Sequence, residues 1–125
     1  FQLQKHPDST ATDEIGIGHF TISDNGKNSG SYQVETLSGD TIVENGEIPW
    51  PSVIKIDVEG GENKVIKGIE KILNQEQCRL VYCEVHPTLG GDGNIIKNTL
   101  NRYNFETKTI CMNDNSERYV IRGEK

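Results

Sequence analysis

Four side chains in this sequence have the types and spacing to move a proton or hold a cation: Asp57, Glu59, Glu84 and His86. The first two close an apolar run, Ile54-Lys55-Ile56-Asp57-Val58-Glu59-Gly60-Gly61-Glu62. The other two close a second run, Arg79-Leu80-Val81-Tyr82-Cys83-Glu84-Val85-His86-Pro87. Carboxylates and an imidazole brought to one place can ligate a divalent cation through oxygen and nitrogen. They can equally take the proton from a substrate hydroxyl. Glu84 draws notice because a carboxylate within an apolar strand is costly unless paired. A plainer reading stands beside this one. Asp, Glu and Gly suit strand-to-helix turns, since the acids satisfy free N–H groups and Gly accepts positive φ. On that reading 57–60 is a turn, Glu62 is a first-turn helix charge, and His86 is a strand end before Pro87. The residues alone leave both readings open. His6 and His19 carry no pattern.

The elements that must position these groups come from periodicity. The second half predicts β-α-β-α-β-β. Strands fall at 53–58 and 79–86, both β-branched or apolar runs of the buried kind. Val65, Ile66, Ile69, Ile72 and Leu73 fall on one face of a helix over 62–74. Ile95, Ile96, Thr99, Leu100 and Tyr103 mark a second helix over 94–103, with Asp92 or Asn94 as its N-cap. Two further strands, 105–112 and 117–121, are joined by Asn113-Asp114-Asn115-Ser116. Alternating strands and helices imply a parallel sheet with right-handed crossovers, and the short last connection implies an antiparallel pair. Ligands bind beyond the carboxyl ends of such strands, where both acidic clusters lie. The first half reads β: 15–22 and 31–37 as a hairpin with Tyr32, Val34 and Leu37 facing inward, and 41–43 as a third short strand. The chain is read as one domain over 1–125, with a β-hairpin region at 1–50 and a βαβαββ half-sheet at 51–125.

Composition sets the class. A chain of 125 residues with 33% hydrophobic content has a small core under a polar surface. A net charge of −6 argues against nucleic acid or an anionic membrane as partner. No apolar run approaches the roughly 20 residues that cross a bilayer. Cys78, Cys83 and Cys111 form neither a disulfide framework nor a zinc motif, which favours a reduced, cytoplasmic setting. Gly16-Ile17-Gly18 and Gly90-Gly91-Asp92-Gly93 match neither a dinucleotide loop nor a P-loop, and GxSxG and HExxH are absent.

The block "IKIDVEGGE", then "VIKGIEKIL", then "CRLVYCEVHP", resembles the FkbM family of S-adenosylmethionine-dependent methyltransferases. Upstream, "GHFTISDNGKNSGSYQVETLSGDTIV" is similar to that family's hairpin, with Asp40 where a family aspartate falls. The resemblance implies a Rossmann-like methyltransferase sheet. Strands 53–58 and 79–86 would be its fourth and fifth, and the antiparallel pair its sixth and seventh, in the order fourth, fifth, seventh, sixth. It implies methyl transfer from S-adenosylmethionine to a hydroxyl of a sugar-like or secondary-metabolite acceptor, a small molecule. Asp57 and Glu59 would lie at the cofactor methyl and the acceptor hydroxyl, with Glu84 and His86 lining the acceptor side. Asn28, Gly30, Ser31 and Asp57 would approach the cofactor; a divalent metal stays open. The family's glycine loop and ribose-binding acid have no counterpart after Phe1, so the chain resembles the carboxyl-terminal portion of such an enzyme. Strand 53–58 is then expected to present an unpaired edge for an upstream segment or a second copy. The alternative to an enzyme is a non-catalytic α/β module that pairs through that edge.

Overall fold

The computed structural model describes the backbone of residues 2–5, 20–23 and 31–33, and residues 36–112 and 117–125 with their side chains. The chain divides into two compact units, 1–36 and 37–125. In the first unit, β1 (Gln2–Lys5) lies between β2 (Phe20–Ser23) and β3 (Ser31–Gln33), antiparallel to both. Among the described residues of the expected hairpin between 15–22 and 31–37, β2 and β3 do not pair with each other; 15–19 and Val34 lie outside the described residues. Gln2-Leu3-Gln4-Lys5, too short to stand out by periodicity, takes the central place and pairs with each. Leu37 lies beyond β3 and is exposed, so it does not face inward.

The second unit opens with a helix where a strand was expected. Thr41-Ile42-Val43 belongs to α1 (Gly39–Glu44). Ser38 caps it by accepting the Thr41 N–H on its hydroxyl (3.1 Å), and Val43 turns into the core. Tertiary packing overrides the β preference of Thr-Ile-Val in so short a piece. A four-stranded sheet follows, in the order β4 (Val53–Ile56), β5 (Leu80–Val85), β7 (Tyr119–Glu124), β6 (Glu106–Cys111). β4 and β5 run parallel; β7 is antiparallel to both β5 and β6. The two expected parallel strands and the antiparallel pair thus occur in one mixed sheet. Among the described residues β4 pairs with β5 alone.

One face of this sheet is covered. Along β5, Val81, Cys83 and Val85 are fully buried while Leu80, Tyr82 and Glu84 are partly exposed. That alternation is the two-residue period of a strand with one wet face. On the covered side stand α2 (Glu62–Lys67), α3 (Glu70–Leu73) and α4 (Gly93–Arg102). Ile66, Leu73, Ile96 and Leu100 from the helices meet Val81 and Ile121 from the strands, all 0% exposed. Each buried side chain of this size contributes about 1.5–3 kcal/mol.

The single helix expected over 62–74 is two. The apolar period continues through Ile66, Ile69 and Ile72, but α2 stops at Gly68, whose N–H bonds back to the Lys64 and Val65 carbonyls. The start of α3 is then held from another element. Asp40 accepts the Lys71 N–H on Oδ2 and the Ile72 N–H on Oδ1, both at 3.0 Å. Asp40, which the resemblance singled out, is here a remote N-terminal cap. Asp92 caps α4 as expected, accepting from the Asn94 and Ile95 N–H groups.

Candidate active site

The parallel register of β4 and β5 decides what meets at their carboxyl ends. Ile56 lies opposite Cys83, so Asp57, the residue just past β4, comes beside Glu84, which is still paired with Val120 of β7. His86 follows β5 directly and begins the turn through the 3-10 segment Pro87–Leu89. Ligand atoms of Asp57, Glu84 and His86 all lie within 4.8 Å of one another. Three of the four residues singled out in the sequence therefore converge. Glu59 lies in the turn between β4 and α2, half-buried and outside that set. Asn28 and Gly30 fall outside the described residues, and of Ser31 only the backbone at the start of β3 is described.

Glu62 is not a surface charge. It is 0% exposed, and its Oε1 lies 2.6 Å from His86 Nδ1. The same oxygen accepts the His86 N–H at 3.2 Å and the Gly60 N–H at 3.4 Å. Its partner oxygen, Oε2, is buried with no hydrogen-bond partner. The helix start thus reaches across to the end of β5. Asn63, next on α2, does likewise: its side-chain amide donates to the Gly90 carbonyl and accepts the Asp92 N–H, each at 3.2 Å.

Two glycines let these segments touch. A Cβ on Gly60, where φ is +86°, would lie 2.4 Å from the Leu89 carbonyl oxygen. A Cβ on Gly91 would lie 3.0 Å from both the His86 N and O and 3.1 Å from Glu62 Oε2. Gly60-Gly61 is therefore a turn, as the plainer reading had it, and also the contact surface of the 86–91 turn.

The charges at the rim are matched. Lys55 Nζ donates to Asp57 Oδ2 at 2.8 Å, and Arg118 Nη1 to Glu84 Oε1 at 3.0 Å. Arg118 arrives because β7 runs antiparallel to β5, one step before the Tyr119–Val85 pair. The Asp57 carboxylate holds the Lys55 ammonium above its usual range, chiefly through their hydrogen bond. His86 Nε2 stands 3.6 Å from Glu84 Oε1, beyond hydrogen-bond reach. Lys55, Tyr82, Glu84 and Val120 line a hollow on the sheet's open face beside this rim. Cys83 sits beneath on the covered face. Burial pushes its thiol up to about 12, and the Glu62, Asp57 and Glu84 carboxylates push the same way. It is a core residue without thiolate character.

By distance, Asp57, Glu84 and His86 suit one divalent cation. Lys55 and Arg118 already neutralise the two carboxylates, so a metal would compete with them. The imidazole is held at one nitrogen by a buried carboxylate and has its other nitrogen 3.6 Å from a rim carboxylate, the parts a proton acceptor needs. Sequence reasoning missed Arg118 and Lys55; Glu62 it placed beside Asp57 and Glu59, with a first-turn helix charge as the plainer reading. Lys55 was recoverable, because it shares a strand face with Asp57 two residues on.

The family model described as "Methyltransferase FkbM domain" matches residues 3–109. The hexuronic acid methyltransferase AglP of Haloferax volcanii is 33% identical over 117 residues, covering 90% of this chain and 47% of that protein. The chain thus spans about half the length of the curated relative it matches. No solved structure matches it. The family model alone covers most of the sequence, and the chain belongs to the FkbM methyltransferase family.

Proposed function

We propose that the chain is the carboxyl-terminal part of a methyltransferase domain, and that the domain transfers a methyl group from S-adenosylmethionine to a hydroxyl oxygen of a sugar-like acceptor. The family supports methyl transfer. The relative named for a hexuronic acid supports a sugar acceptor that carries a carboxylate. The observation that carries the reading is His86, its Nδ1 against buried Glu62 and its Nε2 at the rim with Asp57 and Glu84.

S-adenosylmethionine is cationic at sulfur and bears an ammonium group, and it would share the Asp57 and Glu84 carboxylates with Lys55 and Arg118, which pair with them here. When bound, it supplies an electrophilic methyl group. In this reading Asp57 and Glu59 hold its charged end near the acceptor, and Glu84 and His86 orient the acceptor hydroxyl. The acceptor oxygen would take that methyl group, with the electron pair of the broken carbon–sulfur bond staying on sulfur. The hydroxyl proton passes to His86 Nε2. Arg118, held by Glu84, suits the carboxylate of a uronic acid as a bidentate partner. Most of the rate enhancement would come from holding the oxygen in line with the methyl group.

Calorimetric titration with S-adenosylmethionine, on the chain and on the longer protein that contains it, tests the cofactor half of this reading. Saturable heat from the longer protein supports it; no heat and no thermal shift from that protein removes it. The outer edge of β4 favours one further element. Val53 is 59% exposed there, and the edge has no partner strand among the described residues. An upstream strand or a second copy would cover it. Light scattering separates the two: a strictly monomeric chain excludes the second copy.

A further inference from the structure

We propose that Glu62 is a positioning residue that acts through His86, fixing which ring nitrogen is free to take a proton. The proposal deepens the methyl-transfer reading above and rests on it. Glu62 Oε1 faces three nitrogens: His86 Nδ1, the His86 N–H and the Gly60 N–H. The two backbone groups can only donate, so Oε1 is an acceptor whatever the state of the other oxygen. With Glu62 ionised, Oε1 is acceptor only, the ring nitrogen 2.6 Å away donates to it, and on this proposal the proton of the neutral imidazole sits on Nδ1. Nε2 is left with its lone pair, toward Asp57 and Glu84. Among the described residues no donor bonded to that lone pair is found, and Glu84, 3.6 Å off, is itself an acceptor.

The arrangement gains its favourable electrostatics when Nε2 takes a proton. The imidazolium then lies between two carboxylates, Glu62 at Nδ1 and Glu84 beyond Nε2. A stabilisation that appears only with the transferred proton accelerates the reaction instead of tightening ground-state binding. The ring is also fixed from behind. Asn63 ties down Gly90 and Asp92, the His86 carbonyl accepts the Leu89 and Gly91 N–H groups, and Gly91 leaves no room for a side chain.

A second observation separates this role from mere packing. Glu62 Oε2 is buried without a partner. A buried charged group of that kind is a poor source of stability, and apolar replacements of similar volume are often as stable or more so. An unsatisfied buried oxygen calls for a reason other than folding.

The test combines ring ¹⁵N NMR of His86 with kinetics on the longer protein. In the wild type, once the ring is neutral, the proton is expected on Nδ1. Glu62→Gln keeps an oxygen acceptor and should keep that tautomer. Its loss of charge should lower kcat for methyl transfer about 10–100-fold, with the acceptor KM little changed. Glu62→Ala should release the ring to a mixed tautomer; Glu62→Asp, one methylene too short to reach Nδ1, serves if the alanine variant does not fold. A wild-type proton on Nε2, an unchanged tautomer in the Ala or Asp variant, or wild-type kcat in the Gln variant overturns the proposal. If the wild type transfers no methyl group, the reaction assigned above is lost, and the tautomers alone decide whether Glu62 sets the ring.

Discussion

Gly60→Ala should be far more damaging than the same change at Gly46, although both glycines have positive φ. At Gly46 φ is +75° and a Cβ would meet nothing within 4 Å. The cost there is the left-handed backbone alone, about 1–2 kcal/mol. At Gly60 φ is +86° and the added Cβ would sit 2.4 Å from the Leu89 carbonyl oxygen and 3.1 Å from its Cβ. The first contact is backbone, so no side-chain rotation relieves it, and overpacking of this kind adds about 1–3 kcal/mol. The expected total is about 2–5 kcal/mol. With a urea m-value of about 1–3 kcal/mol/M, the Gly60 midpoint should fall roughly twice as far as the Gly46 midpoint. The displaced turn carries His86, so the Gly60 variant should also disturb the ring ¹⁵N signals of His86 while the Gly46 variant leaves them in place. Equal midpoints for the two variants would refute the close packing of the β4–α2 turn on the 86–91 turn. Unmoved His86 signals in a folded Gly60→Ala protein would refute the link between that packing and the site.

Other expectations follow from single contacts. Asp40→Ala removes the acceptor for two N–H groups of α3 and should cost about 1–2 kcal/mol by chemical denaturation, with Asp40→Asn recovering part of the loss. Cys83 should make stability fall with alkali. Below about pH 9 both states keep the thiol proton; above it the unfolded chain releases the proton while the folded thiol holds it until about 12, so stability declines across that window. The slope is at most about 1.4 kcal/mol per pH unit, and Cys83→Ala should flatten it in alkaline melts. Lys55 and Arg118 should oppose metal binding at the rim, so Mn²⁺ affinity measured by calorimetry should rise in a Lys55→Ala, Arg118→Ala double variant. An unchanged affinity would mean the two cations do not compete for Asp57 and Glu84.

The parts of this fold that were legible in the sequence are those where one residue pattern had one reading. The runs 53–58 and 79–86 are apolar, short and followed by helical periods, which is enough for parallel strands. Asp57, Glu84 and His86 were legible as neighbours for the same reason, since parallel strands bring their carboxyl ends to one rim. The misreadings have physical causes. Thr41-Ile42-Val43 has strand preferences, but the Ser38 cap and the burial of Val43 outweigh them. The apolar stripe from Ile66 to Leu73 hides a helix break, because a stripe reports the buried face and not the continuity of the backbone. Glu62 fits a first-turn helix charge as well as a site residue, because acids are common in first helical turns. What buries it is the 86–91 turn, set by contacts more than twenty residues away in sequence. Arg118 depended on the register of β7 against β5, which no local pattern specifies.

The most direct test of the central claim is methyl transfer from labelled S-adenosylmethionine to a hexuronic acid acceptor, comparing the longer wild-type protein with His86→Gln. The account predicts label on an oxygen of the sugar in the wild type, and a rate about 10²–10⁴-fold lower in the variant at unchanged cofactor affinity. Transfer by the His86→Gln protein at the wild-type rate would contradict it.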